Sequence, residues 1–583
     1  MRILGGMRRA LALGMAALAA GCAAPAEAPP EPADLVVRNA RVLTADAAFT
    51  VARAFAVRGE RFAYVGTDEG VRRYIGPATR VLDAGGRTVL PGLIDTHVHA
   101  LGVAAQEAEE PFATLSSIGE VQEWVRRKAA SAPAGEWIRI PRSYPTRLRE
   151  GRFPTREELD AAAPRHPVVF DGAYAQVVNG EGLRRLGITR ETPSPAGGEI
   201  VKDARGEPTG LLRNLRGLIA RHLPSRTAPE DEILRRLEEV HRKYLEVGLT
   251  SVAERGATLE GWRRYRRLKE EGRLRVRAEV TILLDSGGTA EGAERFIRSL
   301  PFRPREGDDW LRVGPLKITA DGGILIGTAY MREPYGPGAA RLYAVTDPGY
   351  RGTPTLTPAQ IRDLVRTGHR LGWPMAAHVT GDAGVDMVLD AVEAAAVEAP
   401  FRGRPFTLIH AYFPDAATVR RAARLGVRVD TQPAWFYKDG DALGDALGAD
   451  RMARFLGLRA WLDGGVTVAI NTDHMFGTDP DGAMNPFNPF LTMDVAVRRR
   501  TEGGRVLAPE QAVTRAEALR MMTIDAARLL GEEDRRGSIE PGKLADFAIL
   551  SGDFLGCPPE RFRELRAEVT AVGGRVVFER GSP

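Results

Sequence analysis

Cysteine is almost absent from this chain: 583 residues carry two, Cys22 and Cys557. Cys22 closes an export-type leader, which leaves Cys557 alone in the body of the protein and excludes an intrachain disulfide there. A dominant charge is lacking too. The 81 Lys and Arg against 76 Asp and Glu give a formal +5, and Arg2, Arg8 and Arg9 lie in the segment expected to be removed. The remainder, about +2, is too small to point to nucleic acid, and the many arginines read as a solvated surface. Long apolar runs are missing: Ala10–Ala20 is too short for a comfortable membrane span. No repeat or low-complexity run appears outside residues 23–33. What remains has an ordinary globular composition, 44% hydrophobic and 27% charged. Its length exceeds what one core organises, so two or more domains are expected.

Residues 1–22 combine a positive start with a short apolar stretch, the pattern of a signal peptide. The ending LAAGC resembles the lipobox of bacterial lipoproteins, with Cys22 as the lipidated first mature residue and Ala19 where that pattern most often has Leu. A soluble secreted protein with an incidental Cys22 is the alternative, and Met7 offers a second start with a neater signal. AAPAEAPPEPA, residues 23–33, reads as a disordered tether. The expectation is therefore an exported protein on the periplasmic face or in the cell envelope, touching membrane only through a lipid anchor at Cys22.

From Asp34 the texture changes to short β-branched runs punctuated by Gly, Asn and Asp, as in DLVVRNARVLTAD, and the same style returns in KLADFAIL and EVTAVGGRVVFER. Residues 34–91 and 531–583 are thus expected to build one small β-sandwich domain from both termini. Residues 92–530 alternate short strands with amphipathic helices. Candidate strands are 93–98, 249–254, 275–284, 316–320, 375–379, 407–410, 428–432 and 466–471. Eight strands in an α/β alternation predict a (β/α)8 TIM barrel. Ile233, Leu237, Val240 and Tyr244 mark one helix face ending at Gly248, and Thr357 caps another carrying Ile361, Leu364, Val365 and Leu371. The first gap is too long for one βα unit, which predicts a folded insertion over 100–247 after strand 1.

Chemistry-bearing residues stand at the ends of these strands: His97 and His99 in LIDTHVH, Lys317 in PLKITADGG, His378 in AAHVTGD, His410 in TLIHAY and Asp473 in AINTDH. Residues i and i+2 of a strand point the same way, so the HxH pair can grip one cation. Singly, HxH or a lone His is more often structural. Four of nine histidines at three strand ends of an independently inferred barrel make the stronger case.

With PGLIDTHVH, the order HxH, Lys, His, His, Asp, and PGKLADFAIL, the chain resembles the amidohydrolase superfamily over residues 34–580. Within it, the chain is similar to the YtcJ-like, amidohydrolase-3 branch that includes N-substituted formamide deformylases. The resemblance implies that His97 and His99 hold one metal and His378 and His410 a second. It implies that Lys317 is N-carboxylated to bridge both, and that Asp473 binds metal and acts as acid and base. A protonated Lys317 beside dications would be repelled, whereas reaction of its neutral amine with CO2 makes a hard anionic ligand. Pairing of Lys317 with Asp321 or a surface acid is the structural alternative. One position departs from many relatives, which carry a histidine five residues before Asn179; here it is Tyr174.

The favoured activity is a metal-dependent hydrolase acting on a non-peptide C–N bond of a small molecule, with one or two divalent cations, Zn by default. Alternatives are lactone, phosphoester or deaminase chemistry on the same site, and a non-enzymatic envelope-tethered binding protein; an oligomer is compatible with either. Asp382 is expected to cap the helix after His378, Asp321-Gly322-Gly323 to form a turn, and Trp435, Tyr335 and His474 to pack loops, with pocket roles as the second reading.

Overall fold

A computed structural model describes residues 30–195, 197–223, 228–401 and 403–581; the leader, Cys22 and most of the tether lie outside them. Eight parallel strands run in sequence order: β1 (Leu93–Val98), β2 (Leu249–Ala257), β3 (Arg277–Leu283), β4 (Leu311–Thr319), β5 (Met375–Val379), β6 (Thr407–His410), β7 (Arg428–Thr431) and β8 (Val468–Ile470). The expected (β/α)8 barrel is present. No regular ladder joins β8 to β1. The circle is closed by a parallel bridge between Val98 and His474, with His99 N–H donating to His474 O at 2.9 Å. β4 begins five residues before the expected Leu316. Pro315 can lie within it because the register with β3 shifts there, between the pairs Val280–Val313 and Ile282–Leu316, so its missing N–H falls at an irregularity in the ladder.

The helices follow from their patterns. Helix α1 (Ala100–Glu109) leaves β1 directly and packs against α2 (Glu230–Glu246), whose buried face carries Ile233, Leu237, Val240 and Tyr244. Gly248, at φ +88°, supplies the left-handed turn from α2 into β2. In α3 (Pro358–Arg370), Thr357 and Gln360 form a reciprocal capping box, and Ile361, Leu364 and Val365 are buried at about 1.5–3 kcal/mol each.

Between α1 and α2 the chain builds a five-stranded sheet in the order 199–202, 208–213, 175–178, 168–171, 138–140. It has its own apolar cluster around Val169, Val178, Leu183 and Leu212. Thr155 and Asn179 cap its helices Arg156–Ala162 and Gly180–Leu186, which gives Asn179 a structural task. Strands from both chain ends meet in a six-stranded sheet ordered 575–579, 567–572, 547–550, 88–91, 41–43, 51–52, beside a four-stranded sheet ordered 61–66, 54–58, 35–38, 80–83. Phe55, Phe62 and Phe547 pack edge to face between these sheets. Arg277 of β3 joins this layer to the barrel: it is buried, paired with both oxygens of Asp546 at 2.8 and 3.0 Å, and lies over Trp310.

Candidate metal centre

The barrel interior beneath the strand ends holds a polar platform. Arg255 on β2 donates to Thr96 O at 2.7 Å, to Thr281 Oγ1 at 2.9 Å and to Asp430 Oδ2 at 3.2 Å, reaching β1, β3 and β7 at once. Asp430 also accepts from Thr96 and Asn471, so this buried pair is fully engaged and braces four strands. Asp95 does the same at the open seam. Its carboxyl accepts from Thr472 Oγ1 at 2.6 Å and from the backbone N–H of His97 and Thr472. Burial pushes its pKa up to about 7 against those hydrogen bonds.

On this platform stand His97 and His99 from the end of β1 and Asp473 from just beyond β8. His97 Nε2 lies 3.2 Å from His99 Nε2, and Asp473 Oδ1 lies 3.4 and 3.3 Å from those nitrogens. The three donor atoms make a nearly equilateral triangle. Tetrahedral ligands at about 2.0–2.1 Å from zinc would be separated by about 3.3 Å, so the triangle fits a divalent cation without rearrangement. Asp473 is held to offer that oxygen. Trp435 Nε1–H donates to Oδ2 at 3.0 Å and Asn485 secures its backbone carbonyl, while Oδ1, though buried, has no hydrogen-bond partner. Asp473 adopts φ +48°, and His410 and Ala411 adopt +77° and +44°; such left-handed conformations at non-glycine residues cost about 1–3 kcal/mol each and gather here.

The second pair is arranged differently. His378 Nδ1 and His410 Nε2 face each other at 2.8 Å. His410 Nδ1 lies 2.6 Å from Gln432 Oε1 and 3.1 Å from Tyr412 Oη, and His378 Nε2 lies 3.1 Å from Gly322 O. Burial, followed by the charge of Lys317, drives the pKa of His97 well below its ordinary value and that of His378 to about 3. Burial and then His378 depress His410 likewise. All three imidazoles are therefore neutral at pH 7, the form that ligation requires.

Lys317, on β4, shares the cavity with these groups, and its side-chain Nζ forms no hydrogen bond or ion pair among the described residues. Burial lowers its pKa to about 8 although Asp473 pulls the other way. It does not pair with Asp321, whose carboxylate accepts from the backbone N–H of Tyr330, Thr380 and Gly381 at 2.8–2.9 Å. Asp321 thus joins the loops after β4 and β5 and leaves Gly322 O facing His378, a larger task than the expected turn.

All six predicted site residues, His97, His99, Lys317, His378, His410 and Asp473, line one cavity of about 610 Å³. Two lesser expectations need correction. Asp382 makes no side-chain cap; it is the first residue of its helix and accepts from Arg332 N–H at 2.8 Å. Trp435 orients Asp473 instead of only packing. His474 and Tyr335 are buried in the protein and do not line the cavity, as their packing roles require. Tyr174 does line it, its hydroxyl 3.5 Å from His378 Nδ1. Sequence reading missed Asp95, Gln432 and Tyr412. Asp95 carried a signal, an acid inside an apolar strand; Gln432 and Tyr412 became visible only when β6 and β7 were brought side by side.

Comparison with known proteins agrees with this geometry. The model of the Amidohydrolase family designated Amidohydro_3 matches residues 80–578. The N-substituted formamide deformylase of Arthrobacter pascens is 32% identical over 560 residues, covering 94% of this chain and 98% of that protein. The putative amidohydrolase YtcJ of Bacillus subtilis is 26% identical, covering 87% and 92%. An uncharacterized metal-dependent hydrolase from Pyrococcus horikoshii shares the fold with a TM-score of 0.66 at 21% identity, covering 90% of this chain and 99% of that one. A family match over most of the chain, on a barrel with histidines, a lysine and an aspartate gathered at one mouth, means that this protein belongs to the amidohydrolase family.

Proposed function

We propose that the protein hydrolyses a non-peptide C–N bond of amide type, using one or two divalent cations, zinc by preference, which His97, His99, His378, His410, Asp473 and an N-carboxylated Lys317 would hold. The observation that carries this reading is the triangle of His97, His99 and Asp473 donors at 3.2–3.4 Å, with Asp473 Oδ1 unpartnered. Neutral His378 and His410, 2.8 Å apart, would hold the second cation after a small ring rotation. The depressed pKa of Lys317 supports carboxylation, because the neutral amine is the form that adds CO2. What a bound cation supplies is Lewis acidity: it polarises a carbonyl and lowers the pKa of water.

The remaining work falls to the chain itself. The Asp473 carboxylate would accept the proton of the attacking water and return it to the departing nitrogen, while Trp435 Nε1–H, bonded to Oδ2, keeps the carboxylate from rotating. The similarity to a formamide deformylase supports the same class of reaction. The reading extends to a small-molecule substrate and to an exported protein anchored through lipidated Cys22. Metal quantification with a panel of N-formyl, N-acyl and cyclic amides beside lactones, phosphoesters and aminopurines tests it. Amide turnover dependent on bound metal is the expected result. Turnover confined to the other classes would overturn the assignment of the bond.

A further inference from the structure

The wall of the cavity contributed by the insertion is strongly cationic. Arg139 on strand Ile138–Ile140, Arg142 just beyond it and Arg216 at the start of helix Arg216–Ala220 all line the cavity. One carboxylate lies near all three and bonds two of them. Asp171 Oδ2 accepts from Arg139 at 2.6 Å and from Arg142 at 3.0 Å, and its Oδ1 is taken by the backbone N–H of Ala173. Burial opposes ionisation of Asp171, but the guanidiniums override it and hold the carboxyl well below its usual range, so the group remains a net double positive.

Two of these arginines have unused donors. Arg216 is engaged by no hydrogen bond or ion pair among the described residues, and repulsion from Arg142 lowers its pKa. Arg142 is nine-tenths buried, yet its Nε–H has no partner. A guanidinium in that state costs free energy unless an anion completes it. Beside them Asn214 presents a buried carbonyl oxygen, also without a partner, while its amide is tied to Thr353 O. The other lining cations are occupied or belong to the metal centre: Arg255 is bound within the barrel, and among the described residues Asp473 is the only acid on the lining.

We infer that Arg142 and Arg216 form a subsite for a carboxylate on the substrate, so that the preferred substrates are N-acyl or N-formyl amino acids and related carboxylated amides. This rests on the amide-hydrolysis reading. Asn214 Oδ1 would accept an N–H of the same molecule. In the reaction, water adds its oxygen to the acyl carbon, the C–N bond breaks, and a water proton ends on the nitrogen. The products are a free acid and an amino acid, with no change of oxidation state. The apolar and aromatic lining, with Tyr144, Trp435, Phe476 and Ile324, suits a hydrophobic side chain on the amino acid.

Metal-loaded protein and its Arg216→Gln and Arg216→Lys variants are compared on both enantiomers of N-formylphenylalanine and on the uncharged N-formylphenylalaninamide. kcat/KM and calorimetric Kd are measured at low and high salt. The carboxylate is expected to be preferred over the amide, and Arg216→Gln to reduce that preference about 10- to 100-fold, the scale of a charged hydrogen bond, with partial recovery in Arg216→Lys. Equal kcat/KM and Kd for the two probes in the wild type, or a preference unchanged in Arg216→Gln, overturns the proposal, as does absence of binding by either probe. If the carboxylate binds in an Arg216-dependent way but neither probe is hydrolysed, the subsite stands and the amide reading falls.

Discussion

The two histidine pairs at the barrel mouth are built from the same chemistry and prepared for different duties. His97 and His99 come from one strand, face an unpartnered carboxylate oxygen, and need no movement to surround a cation. His378 and His410 come from neighbouring strands, lean on each other at 2.8 Å, and are locked from behind by Gln432, Tyr412 and Gly322. A tetrahedral cation needs nitrogens about 3.3 Å apart, so the second pair must open slightly while the first need not. The two positions should therefore fill unequally, the first being the tighter.

The strongest way to break this comparison is at the first pair. His97→Ala should remove the tighter-held metal equivalent and cut turnover by at least about 1,000-fold, whereas His378→Ala should leave that equivalent in place. Elemental analysis after dialysis decides the matter; loss of the same equivalent in both variants would mean that the pairs are not separable. Asp473→Asn should retain metal and lose turnover by about 100- to 10,000-fold, the range of general acid–base catalysis. Full activity in that variant would end the role given to Asp473.

A somewhat smaller effect is expected between the pairs. Lys317→Ala should lose most activity and regain part of it with a short carboxylic acid, which would stand in for the proposed carbamate on Lys317. Activity equal to wild type without the acid would sink the carbamate. Behind the second pair, Gln432→Ala should weaken only the looser metal, by about 10- to 100-fold, because Gln432 orients His410 and touches no cation itself. Metal titration with a competing chelator reads this directly, and an equal weakening of both positions would contradict it.

The strand ends, and the six residues that line one cavity, were legible because each obeys a local rule: a short apolar run, followed by a ligand-type side chain. The fold prediction succeeded for the same reason, since β-strand and helix periodicities survive tertiary packing. What the sequence hid was cooperative. Arg255 and Asp430 are 175 positions apart and look like surface charges until the barrel puts them in one layer. Arg142 and Arg216 were lost among many solvated arginines, and only the shared Asp171 shows that they converge. Asp382 has the residue type of a cap but sits one position inside its helix, where its carboxylate is free to hold Arg332 N–H.

The smallest effect on turnover is expected at Glu254, which braces the first pair from behind. Its Oε2 accepts from Leu101 N–H at 3.1 Å, at the start of the helix that follows His99, and from Tyr265 Oη–H at 3.0 Å. Burial raises its pKa to about 8, against the pull of those hydrogen bonds. Between its ordinary value near 4.5 and about 8, the folded protein holds a proton that the unfolded chain has released. Its stabilising contribution is therefore complete below pH 4.5 and is lost as pH rises toward 8, at up to about 1.4 kcal/mol per pH unit. Glu254→Gln keeps the shape and removes the ionisation. Wild-type stability measured relative to this variant should fall steadily from pH 5 to pH 8, a difference in which the other buried groups cancel. Parallel stability curves would show that Glu254 is already ionised in the fold, and that the support behind His97 and His99 is a charge and not a neutral hydrogen-bonding acid.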